Sequence, residues 1–284
     1  MSLTYLGHNV KVGTFPSMNS LLEFLQETPL KNPDAGYSDV VTNYPSYNND
    51  WMGVKGQEHL FDMAKYGSDN TKALEELKEV TTSPVCINKM RRGRKMWSDC
   101  GDEVDMSRYY AGDWDCMSYK PLTPSPSKTI KVYASISVCG ATDPEDMVRA
   151  GKVLVQKLCA LSMEGYSIRL EAGLATQYPR GDYGILSILI KDEMDDFDPA
   201  RIAYALMEPS FLRGFGIAYL SRTYKGYGGS CGALHNSTAK PVAKLALGDD
   251  YTVISLADII DCYTEEEMSK YIDKCLSESE SHDF

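Results

Sequence analysis

The second half of the chain alternates short runs of β-branched and aromatic residues with longer segments of amphipathic periodicity. Four runs have the length and composition of strands, namely Thr129–Val138, Tyr166–Leu170, Tyr183–Ile190 and Tyr251–Leu256. The third of these runs is apolar enough to be a central strand. This alternation predicts an α/β fold in which an open twisted, Rossmann-like sheet lies between flanking helices.

Three helices of this half carry their own start signals. Asp143–Pro144 and Asp198–Pro199 each combine an N-capping residue with a proline in the first turn. Thr264 and Glu267 have the spacing of a capping box. These signals predict helices after each aspartate and a final helix over residues 265–276.

The first 120 residues are less regular. A strand is predicted over Val10–Phe15, with helices after Ser17, after Trp51 and over Thr71–Thr82. Prolines among serines and threonines near residue 124 indicate a short stiff linker. The sequence therefore predicts four parts: a mostly helical or irregular N-terminal region (1–120), the linker (121–128), an α/β domain (129–276) and an acidic tail (277–284).

The chain of 284 residues has a formal net charge of −11, which argues against a protein whose whole surface coats DNA or anionic membranes. The N-terminus lacks the pattern of a signal peptide, and no apolar run is long enough to span a bilayer, so a cytoplasmic protein is expected. The cysteines form no CxxC pair, and there is no GxxxxGK[ST] motif. His59 and His235 lack the paired spacing of zinc ligands, so neither a metal site nor a cofactor is predicted.

Basic and aromatic residues occur together at two places, the run KMRRGRK with the indole that follows it and the glycine-rich loop SRTYKGYGGSCG. Clustered cations neutralise phosphates, and aromatic faces stack on bases. The sequence predicts a single-stranded nucleic-acid site formed by Lys89, Arg91, Arg92, Arg94, Lys95, Trp97, Arg222, Tyr224, Lys225 and Tyr227. The alternatives are a solvated basic loop paired with the acidic residues behind it and a flexible glycine-rich connection.

The chain ends in SESESHDF, an acidic segment with a terminal aromatic residue. Tails of this kind resemble those with which many single-stranded-DNA-binding proteins recruit partners and compete with DNA for the groove. The predicted partner-binding residues are Glu278, Glu280, Asp283 and Phe284. An ordinary solvated tail is the alternative.

Signals for catalysis are weak. None of the four histidines lies in a local signature such as GxSxG, so no catalytic residue is predicted. A hydrolase or small-molecule enzyme is an alternative, and it would need a polar pocket at the carboxyl ends of the strands near Ser135, Ser137 and Asp192. Trp114 and Cys116–Met117 are expected to pack in the core.

Residues 129–190 resemble a degenerate von Willebrand factor A-type domain. In that family the first strand ends in Asp-x-Ser-x-Ser, which holds a divalent metal, and a helix and a Gly-initiated second strand follow. Tyr133, Ser135 and Ser137 occupy the matching positions here, and Gly165–Leu170 follows the helix. Because the aspartate is absent, a hard cation loses its main charged ligand, and the family's metal is not expected at this position.

Over most of its length the chain also resembles uncharacterised proteins of tailed, N4-like phages. The likeness is carried by Trp51–Gly53, Gly101–Tyr109, Gly112 with Cys116–Met117, and Glu208–Arg213. The resemblance implies a phage protein made in the host cytoplasm.

By analogy with the single-stranded-DNA-binding transcription factors of such phages, we predict a non-enzymatic protein. It would bind single-stranded DNA or recruit a phage or host polymerase or another replication or transcription partner. The alternative is a protein–protein adaptor on the A-type layer that acts with an ATPase or inhibits a host system.

Overall fold

The structure is a computed structural model. It describes residues 3–31, 39–44, 49–70, 74–75, 77, 90–92, 96–98, 100–119, 122–124, 129–178, 180–193, 195, 197–224 and 232–280. For residues 90–92, 96, 122–124, 279 and 280 it describes the backbone alone.

The N-terminal part combines short helices with short strands. Its elements are β1 (Leu3–Tyr5), β2 (His8–Phe15), α1 (Met18–Glu27), α2 (Asn49–Met52), α3 (Gln57–Tyr66), β3 (Met90–Arg92), β4 (Met96–Ser98), β5 (Glu103–Val104), α4 (Met106–Ala111), β6 (Met117–Tyr119) and β7 (Leu122–Pro124). The strand predicted over Val10–Phe15 is confirmed as part of β2, and the hydroxyl of Ser17 caps α1 by accepting from the Ser20 amide at 3.2 Å. Of the helix predicted over Thr71–Thr82, residues 74, 75 and 77 are helical and the others lie outside the described residues.

The C-terminal part follows the predicted alternation. Its elements are β8 (Thr129–Ser135), α5 (Pro144–Met163), β9 (Ser167–Gln177), β10 (Tyr183–Lys191), α6 (Pro199–Met207), a π-helix (Phe211–Gly216), α7 (Ile217–Thr223), β11 (Gly232–Ala233), α8 (Asn236–Leu247), β12 (Tyr251–Ser255), α9 (Leu256–Ile260) and α10 (Glu265–Glu280). The four predicted strands are confirmed, and the second runs seven residues further than Leu170, to Gln177. Helices α5, α6 and α10 begin where the capping signals placed them.

The main sheet is mixed. Among the described residues it contains seven strands, with the order β1-β2-β10-β9-β8-β12 and with β11 paired to the end of β9. Strands β8, β9 and β12 are parallel, β10 is antiparallel to β9, and β2 is parallel to β10. The α/β class is therefore confirmed, with helices flanking a mixed sheet.

The N-terminal residues are part of this sheet. Strand β2 pairs with β10 over six residues, from Val10 opposite Tyr183 to Phe15 opposite Ile188. Residues 3–15 form one edge of the main sheet. The predicted boundary between an N-terminal region and a sheet domain therefore separates this edge from the other strands of the sheet. No helix of the described residues is both long enough and apolar enough to cross a bilayer.

Two hydrophobic clusters cover the two faces of the sheet. Successive residues of a strand point to opposite faces, so Val132 belongs to one cluster and Tyr133 to the other. Helices α5 and α6 and the π-helix pack on the face of Val132, whereas α8 packs on the face of Tyr133. Neither cluster includes a residue of the described parts of 90–124.

Residues 96–119 form a small unit of their own. Strand β6 lies between β4 and β5, and all three pair antiparallel. The Asp102 amide donates to the Ser118 carbonyl at 2.9 Å, and the Asp105 amide donates to the Cys116 carbonyl at 2.7 Å. We call residues 96–119 the acidic unit, because the segment contains six acidic residues and one arginine.

Candidate interaction surface

Arg222 is buried, which corrects its predicted role in nucleic-acid binding. Its guanidinium is 1% exposed and makes a two-point ion pair with Asp39, at 2.7 Å and 2.9 Å. It also donates to the carbonyls of Leu25, Thr28 and Ala218. A phosphate would have to displace all these partners, so Arg222 is a structural residue that ties α7 to the chain after α1.

Tyr224 is buried as well, and its predicted stacking on a base is corrected in the same way. Its ring lies 4.0 Å from the Tyr178 ring and is nearly parallel to it. The Nζ atom of Lys11 lies 4.6 Å from the centre of the Tyr224 ring. Lys225 and Tyr227, the other two predicted residues of this loop, lie outside the described residues.

The basic run is described only in part. Arg91 and Arg92 belong to β3, which pairs with β7, while Lys89, Arg94 and Lys95 lie outside the described residues. Trp97 belongs to β4, and the guanidinium carbon of Arg108 lies 4.4 Å from the centre of its ring. One face of Trp97 is therefore covered by an arginine of the same unit, which leaves less of the indole for a base than we predicted.

The predicted acidic tail begins inside a helix. Glu278 belongs to α10 and accepts a hydrogen bond from Lys240 at 2.6 Å, which lowers the pKa of this carboxyl. Glu280 is the last residue of α10, and Asp283 and Phe284 lie outside the described residues. Glu278 is thus bound to α8 rather than part of an extended tail.

The polar pocket required by the hydrolase alternative is not formed by the residues named for it. The hydroxyls of Ser135 and Ser137 are buried and both accept from the Ala175 amide, at 3.3 Å and 3.0 Å. Asp192 follows the antiparallel strand β10, lies at the other end of β9, and accepts from Arg169 at 2.9 Å. The two serines and Asp192 therefore cannot act on one substrate.

The acidic unit presents a surface that the sequence reasoning missed. Five large apolar side chains are exposed there, namely Val104, Met106, Tyr109, Tyr110 and Trp114. We call these five residues the aromatic surface. Trp114 is 90% exposed and Tyr110 is 79% exposed, so the expectation that Trp114 packs in the core is wrong.

Helix α4 positions most of this surface. The Asp105 carboxylate accepts from the Ser107 amide at 3.0 Å and from the Arg108 amide at 3.2 Å, which begins the helix. Gly112 ends it with a φ of +78°, a conformation that favours glycine. Between these caps, Met106, Tyr109 and Tyr110 have i, i+3 and i+4 spacing, so they share one side of the helix. The Tyr109 and Tyr110 ring centres are 5.9 Å apart.

Arg108 fixes this helix on the small sheet. Its guanidinium lies over the Trp97 ring, and its Nη1 atom donates to the Asp115 carbonyl at 3.3 Å. The one arginine of the unit lies over Trp97, whereas Asp102 and Asp113 are exposed, so the exposed charge of these described residues is negative. The i, i+3, i+4 apolar spacing between acidic residues was the sequence signal that could have revealed this surface.

The fold and this surface together define a mixed α/β protein that carries a small acidic unit with exposed aromatic side chains. Residues 7–270 match a family described as a domain of unknown function, DUF7192, and the chain belongs to that family. Neither a curated protein nor a solved structure matches the chain.

Proposed function

We propose that the protein is a non-enzymatic adaptor that docks a partner protein on the aromatic surface. The observation that carries this proposal is the exposure of Tyr109, Tyr110 and Trp114, from 59% to 90%, within six residues of the chain. Tyrosine and tryptophan are the residue types in which binding energy concentrates at protein interfaces. An aromatic side chain that buries on the order of 150 Å² contributes about 4 kcal/mol before the costs of association.

Charge selects the partner. The exposed carboxylates of Asp102 and Asp113, in the same unit as the aromatic surface, repel phosphates and attract lysine and arginine. The fitting occupant is a protein segment that places an apolar side chain beside two or more cations. Such charges at the rim of an interface mainly increase the association rate and reject wrong partners.

The A-type resemblance enters as the scaffold of this adaptor. We infer that β8, α5, β9 and β10 form a degenerate A-type layer without the family's metal, since Ser135 and Ser137 accept from a backbone amide instead of facing solvent. The resemblance of Trp51–Gly53 and Glu208–Arg213 supports a phage protein that acts in the host cytoplasm. In this proposal the partner is a host or phage protein, such as a polymerase or an ATPase.

Binding of single-stranded DNA is the competing proposal. Its strongest support is the basic run near Arg91 and Arg92, and it loses Arg222 and Tyr224, which are buried. The two proposals require opposite charges near the aromatic surface. A groove for a polyanion needs cations beside the aromatic residues, whereas a partner segment with cations needs carboxylates there. Here Trp114 stands between Asp113 and Asp115 in the chain, which favours the protein partner.

Site-specific photo-crosslinking tests the proposal. A photoreactive phenylalanine replaces Tyr110 or Trp114 in the full chain, and Tyr263 serves as the matched control because it is 89% exposed and lies before α10. We expect positions 110 and 114 to crosslink to one protein, and position 263 not to. The crosslinked segment, made as a peptide, should carry cations beside an apolar residue.

That peptide is then titrated against the full chain. Because loss of one aromatic anchor costs about 2 kcal/mol or more, Trp114→Ala and Tyr110→Ala should each weaken binding about 30-fold, while Tyr263→Ala leaves it unchanged. Equal binding by all variants would overturn the proposal. A gel-mobility shift of a single-stranded oligonucleotide would also overturn it, if the shift weakens with salt and persists in both alanine variants. Loss of that shift in Arg91→Ala/Arg92→Ala would establish DNA binding instead.

A further inference from the structure

A second group of polar side chains lies far from the acidic unit in the sequence, where β12 ends and α8 begins. His235 immediately precedes α8, and Asp258 and Asp261 lie on and just after α9. The His235 Nδ1 atom is 2.6 Å from an Asp258 oxygen and 3.7 Å from an Asp261 oxygen. One potential ligand atom from each of the three residues lies within 4.8 Å of the other two. We propose that these three residues bind one divalent transition-metal ion.

The donor set is that of a transition metal. One imidazole and two carboxylates suit Zn²⁺ or Mn²⁺, whereas Mg²⁺ and Ca²⁺ prefer oxygen ligands alone. Ligand atoms about 2.1 Å from a tetrahedral ion lie about 3.4 Å apart. The His235–Asp258 pair must therefore open by about 0.8 Å and the His235–Asp261 pair close by about 0.3 Å. Both movements are small because His235 and Asp261 are more than half exposed.

Asp258 is held by groups outside the proposed site. Its second oxygen accepts from the Asn236 amide at 2.6 Å and from the Tyr271 hydroxyl at 2.9 Å. Such outer partners orient a ligating carboxylate and preserve its position when the first oxygen binds an ion. The same bonds anchor α9 and α10 to the start of α8.

An independent observation comes from the side chain of Asn236. Its amide oxygen is buried and, among the described residues, has no hydrogen-bond partner, although its nitrogen contacts the Cys275 sulfur at 3.5 Å. A buried acceptor without a donor costs about 1–3 kcal/mol. Asn236 borders the proposed site, because its backbone amide donates to Asp258, and three protein ligands leave a fourth position for water.

Metal titration of the full chain, first freed of metal by a chelator, tests the proposal. Calorimetry with Zn²⁺ and with Mn²⁺ should show one ion per chain at this site, while Mg²⁺ binds at least 10-fold more weakly. The decisive variant is Asp261→Asn, because Asp261 is exposed and its loss leaves the bonds of Asp258 intact. It should weaken Zn²⁺ binding at least 10-fold, and His235→Ala should do the same, whereas Asp249→Asn, at an exposed turn, should not.

Co²⁺ absorption separates this site from the thiols. Exposed Cys100 and Cys139 could hold a metal ion adventitiously, and a thiolate ligand gives an intense charge-transfer band that imidazole and carboxylate do not give. We expect Co²⁺ bound by the full chain to lack that band. Unchanged Zn²⁺ affinity in both Asp261→Asn and His235→Ala would overturn the proposal, and so would Co²⁺ binding whose only signal is a thiolate band that both variants leave unchanged.

Discussion

The main sheet and the acidic unit place their aromatic residues in opposite environments. Tyr133 is fully buried and donates to the Leu186 carbonyl at 2.9 Å, and Tyr251 donates to Glu171 at 2.5 Å. Burial and the bond to Glu171 raise the pKa of Tyr251 to about 12. Tyr110 and Trp114, in contrast, are mostly exposed on α4 and just after it.

The size of the two regions explains the difference. The sheet is covered by helices on both faces, so a large ring there finds apolar neighbours. The acidic unit has three short strands and one six-residue helix without a buried side chain. None of its described residues belongs to a hydrophobic cluster, so its exposed rings are available to a partner. Substitutions in the sheet should therefore have larger effects on stability than substitutions in the acidic unit.

The largest effect is expected for Gly173→Ala in the middle of β9. A Cβ atom at this position would lie 1.9 Å from the Leu186 carbonyl oxygen of the neighbouring strand, and backbone cannot move aside at low cost. We expect the variant to lose more than about 4 kcal/mol of unfolding free energy or to fail to fold. Urea denaturation followed by circular dichroism measures this.

The matched control is Gly140→Ala, in the connection between β8 and α5. A Cβ atom there meets nothing within 4 Å, so the unfolding free energy should change by less than about 1 kcal/mol. Similar stability of the two variants would mean that β9 and β10 do not pair in the described register.

The buried ion pair should produce the next largest effect. Arg222→Met leaves the Asp39 carboxylate buried without its main partner, which costs about 3–5 kcal/mol. Asp39→Ala should cost a similar amount, and the double variant less than the sum, because the two residues share one interaction. A double-mutant cycle by urea denaturation checks this, and additive losses would contradict the pairing.

The same pair contributes to acid sensitivity. Burial acts to raise the pKa of Asp39, but the bonds from Arg222 and Thr42 outweigh it and hold the pKa below its ordinary value of 3.8. A lowered carboxyl pKa gives stability that is complete above the unfolded pKa and is lost as the pH falls through the folded one. As the pH is lowered from about 5 to the acid unfolding transition, the unfolding free energy of the wild type should therefore fall more than that of Asp39→Asn. Urea denaturation at a series of pH values measures this.

The starts of helices could be predicted from the sequence, because the capping residues that mark them lie close to the helix in the chain. Thr264 and Glu267 form the expected capping box, with bonds of 3.2 Å in each direction. The Asp198 carboxylate accepts from two amides of the first turn of α6, as expected of an N-cap. Asp143 also precedes its helix, although its side chain makes no capping bond. These signals depend on neighbours within a few positions, so no tertiary information was needed.

The candidate sites depended on distant residues, and there the sequence reasoning failed. Arg222 stands beside a glycine-rich loop in the sequence, but its partner Asp39 is 183 positions away. The expectation that Trp114 packs in the core is wrong, since its side chain is exposed. Whether a ring is buried depends on how much apolar surface surrounds it, and the acidic unit is too small to supply it.

The smallest effect on the free energy of unfolding is expected for the double variant Tyr110→Ala/Trp114→Ala in the acidic unit. Exposed side chains that touch little contribute less than about 0.5 kcal/mol each to stability. In the isolated chain these rings should therefore be removable. Tyr133→Phe, in contrast, should cost about 1 kcal/mol because it removes a buried hydrogen bond to the Leu186 carbonyl. Urea denaturation of both variants measures the contrast. A loss above about 2 kcal/mol in the double variant would show that the rings are already buried in solution. The acidic unit would then have a core of its own, and its aromatic residues would no longer be available to a partner.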